Sequence, residues 1–84
     1  MVSYLILCRS LTYAQRTAHA LERSGIAGYV MRAPRDISSE GCSYCVKIAE
    51  NWLDKALVVL QKSGLSPKQV FILREDSSLG KVEL

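Results

Sequence analysis

Apolar residues along this chain fall into four short runs separated by two segments of helical spacing. Residues 3–8 (Ser-Tyr-Leu-Ile-Leu-Cys) form an almost unbroken apolar run, the pattern of a strand buried on both faces. Leu11, Ala14, Ala18 and Leu21 then recur at three- and four-residue intervals and predict a helix with one narrow apolar stripe. Thr12 and Gln15 fit a capping box, and Ser10 is the alternative N-cap. Gly25 ends the helix, because glycine enters the left-handed conformation at little steric cost. Residues 28–32 read as a second strand closed by Pro34, which cannot donate to a ladder. After a turn over 36–41, residues 44–48 read as a third strand, with Val46 and Ile48 on one face and Cys45 and Lys47 on the other. Asn51 is the expected cap of a second helix, whose buried stripe is Leu53, Ala56, Leu57 and Leu60. Gly64 and Pro67 end it, and Val70 to Leu73 form the fourth strand.

The order β-α-β-β-α-β is that of the α+β ferredoxin-like sandwich, and right-handed crossovers leave few other ways to wind it. The expected sheet has four antiparallel strands in the order 4-1-3-2 with both helices on one face. A single domain is expected over 1–73, with a loose polar tail over 74–84. The first strand carries apolar residues on both sides, while helices cover only one face. An exposed patch involving Tyr4, Ile6, Tyr29, Met31 or their neighbours is therefore expected on the open face, and with it a homodimer or a docked partner.

Composition adds limits rather than direction. The chain has 84 residues, 11 basic and 8 acidic, for a formal charge of +3, which does not demand a nucleic-acid partner. Tyr4 and Tyr44 sit where RNA-binding modules of this architecture stack bases, but the basic-aromatic strand signature of those modules is missing. No run approaches the roughly 20 apolar residues of a membrane span. Residues 2–7 are too short for a signal-peptide core and lack its basic flank, so a cytoplasmic location without membrane or nucleic-acid partners is expected. Three cysteines is an odd number, which favours reduced thiols over a closed disulfide framework.

The candidate chemistry gathers in the loop from Arg32 to Cys45. The expected topology brings the end of the first strand beside the start of the third, so Cys8, Cys42, Arg9, Arg32, Arg35 and the N-terminus of the first helix share one end of the sheet. A thiol near arginines and a helix N-terminus has a lowered pKa, and the thiolate is the reactive form. Cys42, preceded by glycine in a polar loop, is the candidate nucleophile. Cys8, in a central apolar strand, reads first as a small buried hydrophobe. Cys45 divides evenly between structural and chemical readings. Cys42-x-x-Cys45 does not match a redox pair at a helix N-terminus, since its second member enters a strand. Only Cys8 and His19 can supplement the pair toward four zinc ligands, so no metal is expected. No Ser-His-Asp arrangement, paired carboxylates or phosphate-binding glycine loop can be assembled, and no cofactor is expected.

Around this loop, Ser10, Ala14, Pro34, Arg35, Ile37, Ser38, Gly41 and Cys42 carry a resemblance. In these positions and over most of its length, to about Leu73, the chain resembles the small bacterial domains described as selenium/sulfur carrier protein-like, the DUF3343 family. The resemblance implies a non-enzymatic carrier: a cysteine that holds sulfur or selenium as a persulfide or selenosulfide between donor and acceptor proteins. Cys42 matches the family cysteine. The resemblance marks Ser10 and Gly41, places Arg35 and Ser38 as loop-positioning or thiolate-stabilising residues, and carries no role over to Cys45. By carrier chemistry alone, Cys45 or Cys8 is open to the role of a second thiol that helps release cargo, and Arg9 is a further candidate binding residue. Two other functions compete with it. One is a small-ligand or regulatory binding module with Cys42 merely structural, and the other is a dithiol redox enzyme using Cys42 and Cys45.

Overall fold

The computed structural model describes residues 2–35, 37, 43–67 and 69–83. Its elements are β1 (Ser3–Cys8), α1 (Leu11–Arg23), β2 (Tyr29–Arg32), β3 (Tyr44–Ala49), a 3₁₀ turn (Glu50–Trp52), α2 (Leu53–Lys62), β4 (Val70–Leu73) and β5 (Leu79–Val82). The expected four-stranded sheet is corrected here. The sheet has five strands in the order β2-β3-β1-β4-β5, with every neighbouring pair antiparallel.

The added strand comes from the segment expected to be a loose tail. Its polar residues are the turn of a hairpin: Arg74 N–H donates to Ser78 O at 3.0 Å, and Ser77 N–H donates to Arg74 O at 2.9 Å. Ser77 takes a positive φ of 69°, and Asp76 Oδ1 accepts from Ser78 N–H at 3.0 Å, a local side-chain turn that suits Asp. Beyond the turn, β5 pairs Leu79 with Leu73 and Val82 with Val70.

The register sorts the sheet residues by face. Ile6 pairs with Val46 and Val70, and Tyr4 with Ile48 and Ile72, so these side chains share one face with Cys8 and Tyr44. That face is covered: Ile6, Cys8, Val46, Ile48 and Val70 form one buried core with Ala14 and Leu21 of α1 and Ala56 and Leu60 of α2. Tyr4 and Ile6 therefore belong to the covered face and not to an open patch. The opposite face carries Leu5, Leu7, Tyr29, Met31, Cys45, Lys47, Phe71, Leu73, Leu79 and Lys81. Leu5 and Cys45 are fully buried there, whereas Tyr29 is 66% exposed.

Two helix ends differ from the sequence expectation. Ser10 is the N-cap of α1, its Oγ accepting from Tyr13 N–H at 3.1 Å, and this takes the place of the Thr12 capping box. Asn51 lies inside the 3₁₀ turn, and α2 starts behind Trp52 with no side-chain cap. Gly25 (φ +82°) and Gly64 (φ +71°) both turn the chain out of a helix in the left-handed region. Gly28 has another role: a Cβ there would meet Val46 Cγ1 at 2.9 Å, so its bare backbone lets the chain pass over β3 on its way into β2.

Candidate functional site

At one end of the sheet β1 finishes, α1 begins and β3 starts. The register aligns Cys8 with Tyr44 and Tyr44 with Arg32, so these three form one cross-strand row at that end. Just beyond the row, Ala33 N–H donates to Ser43 O at 3.0 Å and closes the base of the loop. Within the loop, Ile37 N–H donates to Pro34 O at 3.1 Å, Pro34 is half-buried and Arg35 is exposed. Ser38, Gly41 and Cys42, three of the expected site residues, lie outside the described residues.

The same end of the molecule holds a cavity of about 400 Å³ lined by Leu7, Cys8, Arg9, Tyr13, Ser43, Ser66, Pro67 and Gln69. Three elements contribute to it. β1 supplies Leu7 and Cys8, the first turn of α1 supplies Tyr13, and the approach to β4 supplies Ser66, Pro67 and Gln69. Leu7 N–H donates to Gln69 O at 3.1 Å, which extends the β1–β4 ladder by one bond and holds that wall in place. Arg9 is exposed, and its guanidinium carbon lies 5.2 Å from the centre of the Tyr13 ring. That stacking holds the charge at the cavity wall by attraction to the ring face.

The cysteines differ sharply in setting. Cys8 is 3% exposed on the helix-covered face, with its thiol directed to Ile6 O at 3.6 Å and Thr17 Oγ1 at 3.9 Å. Burial pushes its pKa up, and the Thr17 contact only partly offsets this. Thr17, fully buried in α1, is a polar core residue that the apolar stripe did not reveal. Cys45 is fully buried on the opposite face, where its backbone pairs with Leu7 and Met31. Burial first, and the neighbouring Cys8 second, push its thiol up to about 11. Both thiols are unbridged. A lowered pKa, expected of a thiol at this end of the sheet, is thus not a property of either described cysteine, because burial disfavours the charged thiolate at both.

His19 lies on the exposed side of α1, and among the described residues no group of three or more His, Cys, Asp or Glu side chains is placed to hold a metal ion. Among the same residues no helix is long and apolar enough to cross a membrane. The sequence reading missed Tyr13, Ser66, Pro67 and Gln69. Ser66 and Pro67 carried only a helix-ending signal. Their approach to Cys8 follows from the antiparallel pairing of β1 with β4, which carries the start of β4 to the end of β1.

The family model described as "Putative Se/S carrier protein-like" matches residues 3–72, from β1 to β4 and across the whole Arg32–Cys45 loop. The chain belongs to this family. Neither a curated protein nor a solved structure matches it significantly.

Proposed function

We propose that this protein is a carrier of sulfur or selenium in which Cys42 holds the chalcogen as a persulfide or selenosulfide. The observation that carries the reading is the family match across residues 3–72, which includes the loop with Pro34, Arg35, Ser38, Gly41 and Cys42. In the loading step the Cys42 thiolate attacks the terminal sulfur of a donor persulfide. A Cys42 S–S bond forms, the donor S–S bond breaks, and the electron pair leaves on the donor thiolate. The exchange is redox-neutral and needs no further oxidant. An acceptor thiolate repeats it to discharge the carrier. Arg35 and Ser38, together with Ser10 and Arg9 at the base of the site, position the loop and favour the thiolate.

Burial argues for a carrier with one working thiol. Cys8 and Cys45 are enclosed and held protonated, which suits packing more than attack on a partner's sulfur. The dithiol reading, with Cys45 as resolving thiol, requires the open face of the sheet to expose that side chain during turnover. Donor and acceptor proteins, or a second copy of the chain, would dock on the open face around Tyr29, and a cytoplasmic setting suits reduced thiols.

Intact mass after incubation with a cysteine desulfurase and cysteine tests the proposal. A sulfur-sized increment, lost on reduction and absent in Cys42→Ser, is the expected result. An increment that persists in Cys42→Ser overturns the assignment. The binding-module alternative is favoured by one observation, the cavity at the base of the loop. It predicts that alkylating Cys42 leaves ligand binding intact.

A further inference from the structure

The cavity at the end of β1 has a chemistry of its own. Among the described lining residues the only charged one is Arg9, and no carboxylate faces it. The other lining residues are the neutral polar Tyr13, Ser43, Ser66 and Gln69 and the apolar Leu7, Cys8 and Pro67. The volume of about 400 Å³ is that of a small-molecule site, at the low end of the range for ligand pockets. Arg9 is held over the Tyr13 ring, so part of the entropy of ordering its side chain is already lost before a ligand arrives. A guanidinium presents a planar fork that matches a carboxylate in two parallel hydrogen bonds. One wall of the cavity is Ser43, the residue next to Cys42 in the sequence.

We infer that this cavity is a binding site for a small organic acid bearing a thiol or selenol, whose carboxylate pairs with Arg9. Its sulfur- or selenium-bearing arm lies toward the Ser43 side. The anion part of the inference rests on the cavity lining, and the thiol or selenol part rests on the carrier reading above. The ligand is then a low-molecular-weight donor or acceptor of the cargo. Ser43, Ser66 and Gln69 supply the remaining hydrogen bonds, and Leu7 and Pro67 receive the aliphatic portion.

The test uses the full chain carrying Cys42→Ser under reducing conditions, so that no covalent loading takes place. Reduced glutathione, a thiol with two carboxylates, is titrated while backbone amide resonances are followed. Its diethyl ester, with the same thiol and skeleton but no carboxylate, is the control. Glutathione is expected to give saturable shifts at Arg9, Tyr13, Ser43, Ser66 and Gln69, with the ester at least about tenfold weaker and Arg9→Ala weakening glutathione about tenfold or more, as loss of a charge-assisted hydrogen bond implies. Arg9 is exposed, so its substitution leaves the core untouched. Equal shifts with acid and ester, an unchanged response in Arg9→Ala, or no saturable shift overturns the inference. The carrier reading is tested separately by the mass increment on the wild-type chain. Loading without glutathione binding overturns the cavity assignment alone. Glutathione binding without loading leaves an organic-acid site and removes the carrier.

Discussion

The two faces of one sheet solve the same burial problem differently. On the covered face, Ile6, Val46, Ile48 and Val70 meet Ala14, Leu21, Ala56 and Leu60 of the two helices, so side chains interdigitate across two layers. On the open face, Leu5 and Cys45 are equally inaccessible, yet neither belongs to that core, and their cross-strand partners are Lys47 and Phe71 for Leu5 and Leu7 and Met31 for Cys45. Inaccessibility alone therefore does not mean the same packing. A side chain under a helix leaves a cavity when it is truncated, whereas one under flexible neighbours can be covered again as they relax.

Truncation is the most forceful way to break this comparison. Ile6→Ala should cost about 3–4 kcal/mol and Leu5→Ala only about 2, as read by urea unfolding. Equal losses would mean that a second copy or a partner covers the open face in solution. Gly28→Ala should cost about 1–3 kcal/mol, because the new methyl group is driven into Val46 on the covered face; an unchanged unfolding midpoint would show that Val46 yields freely.

Alkaline titration sharpens the comparison from the open side. Burial in the native fold pushes the Cys45 thiol from its ordinary value near 9.0 up to about 11, so between these values the unfolded chain binds fewer protons than the native one. The stability from keeping it protonated is full below about pH 9 and is lost as pH rises toward about 11. Cys45→Ala should have a flatter decline than wild type over that window; parallel declines would contradict a protonated buried thiol. In native protein at neutral pH, Cys45 should also react with alkylating reagents far more slowly than in urea. The smallest effect belongs to Tyr29→Ser, which should change stability by no more than about 0.5 kcal/mol, because the ring is 66% exposed. If the open face docks a second copy, the same substitution should lower the molecular mass seen by light scattering at high concentration.

Some of this was legible in the sequence. The apolar run of β1, the stripe with Ala14 and Leu21 in α1, and the alternation of Cys45, Val46, Lys47 and Ile48 in β3 state their periods openly, since each records which side chains must leave water. β5 was obscured because its two apolar residues stand behind a charged hairpin turn and amount to no run. Tyr4 and Ile6 were misplaced for another reason. In a strand apolar on both sides, periodicity separates the two faces without saying which one the helices cover.

The sequence by itself determined the element order from β1 to β4, the Arg32–Cys45 loop and, through the match over residues 3–72, the family. These are local or linear properties, written in spacing, turn residues and motif. Only the tertiary structure decided that a fifth strand closes the β4 edge, that Cys8 and Cys45 stand protonated on opposite faces, and that Arg9, Tyr13, Ser43, Ser66 and Gln69 surround one cavity. Each depends on which distant segments pair and in what register. Burial and desolvation are set by those neighbours in space, and one-dimensional spacing does not specify them.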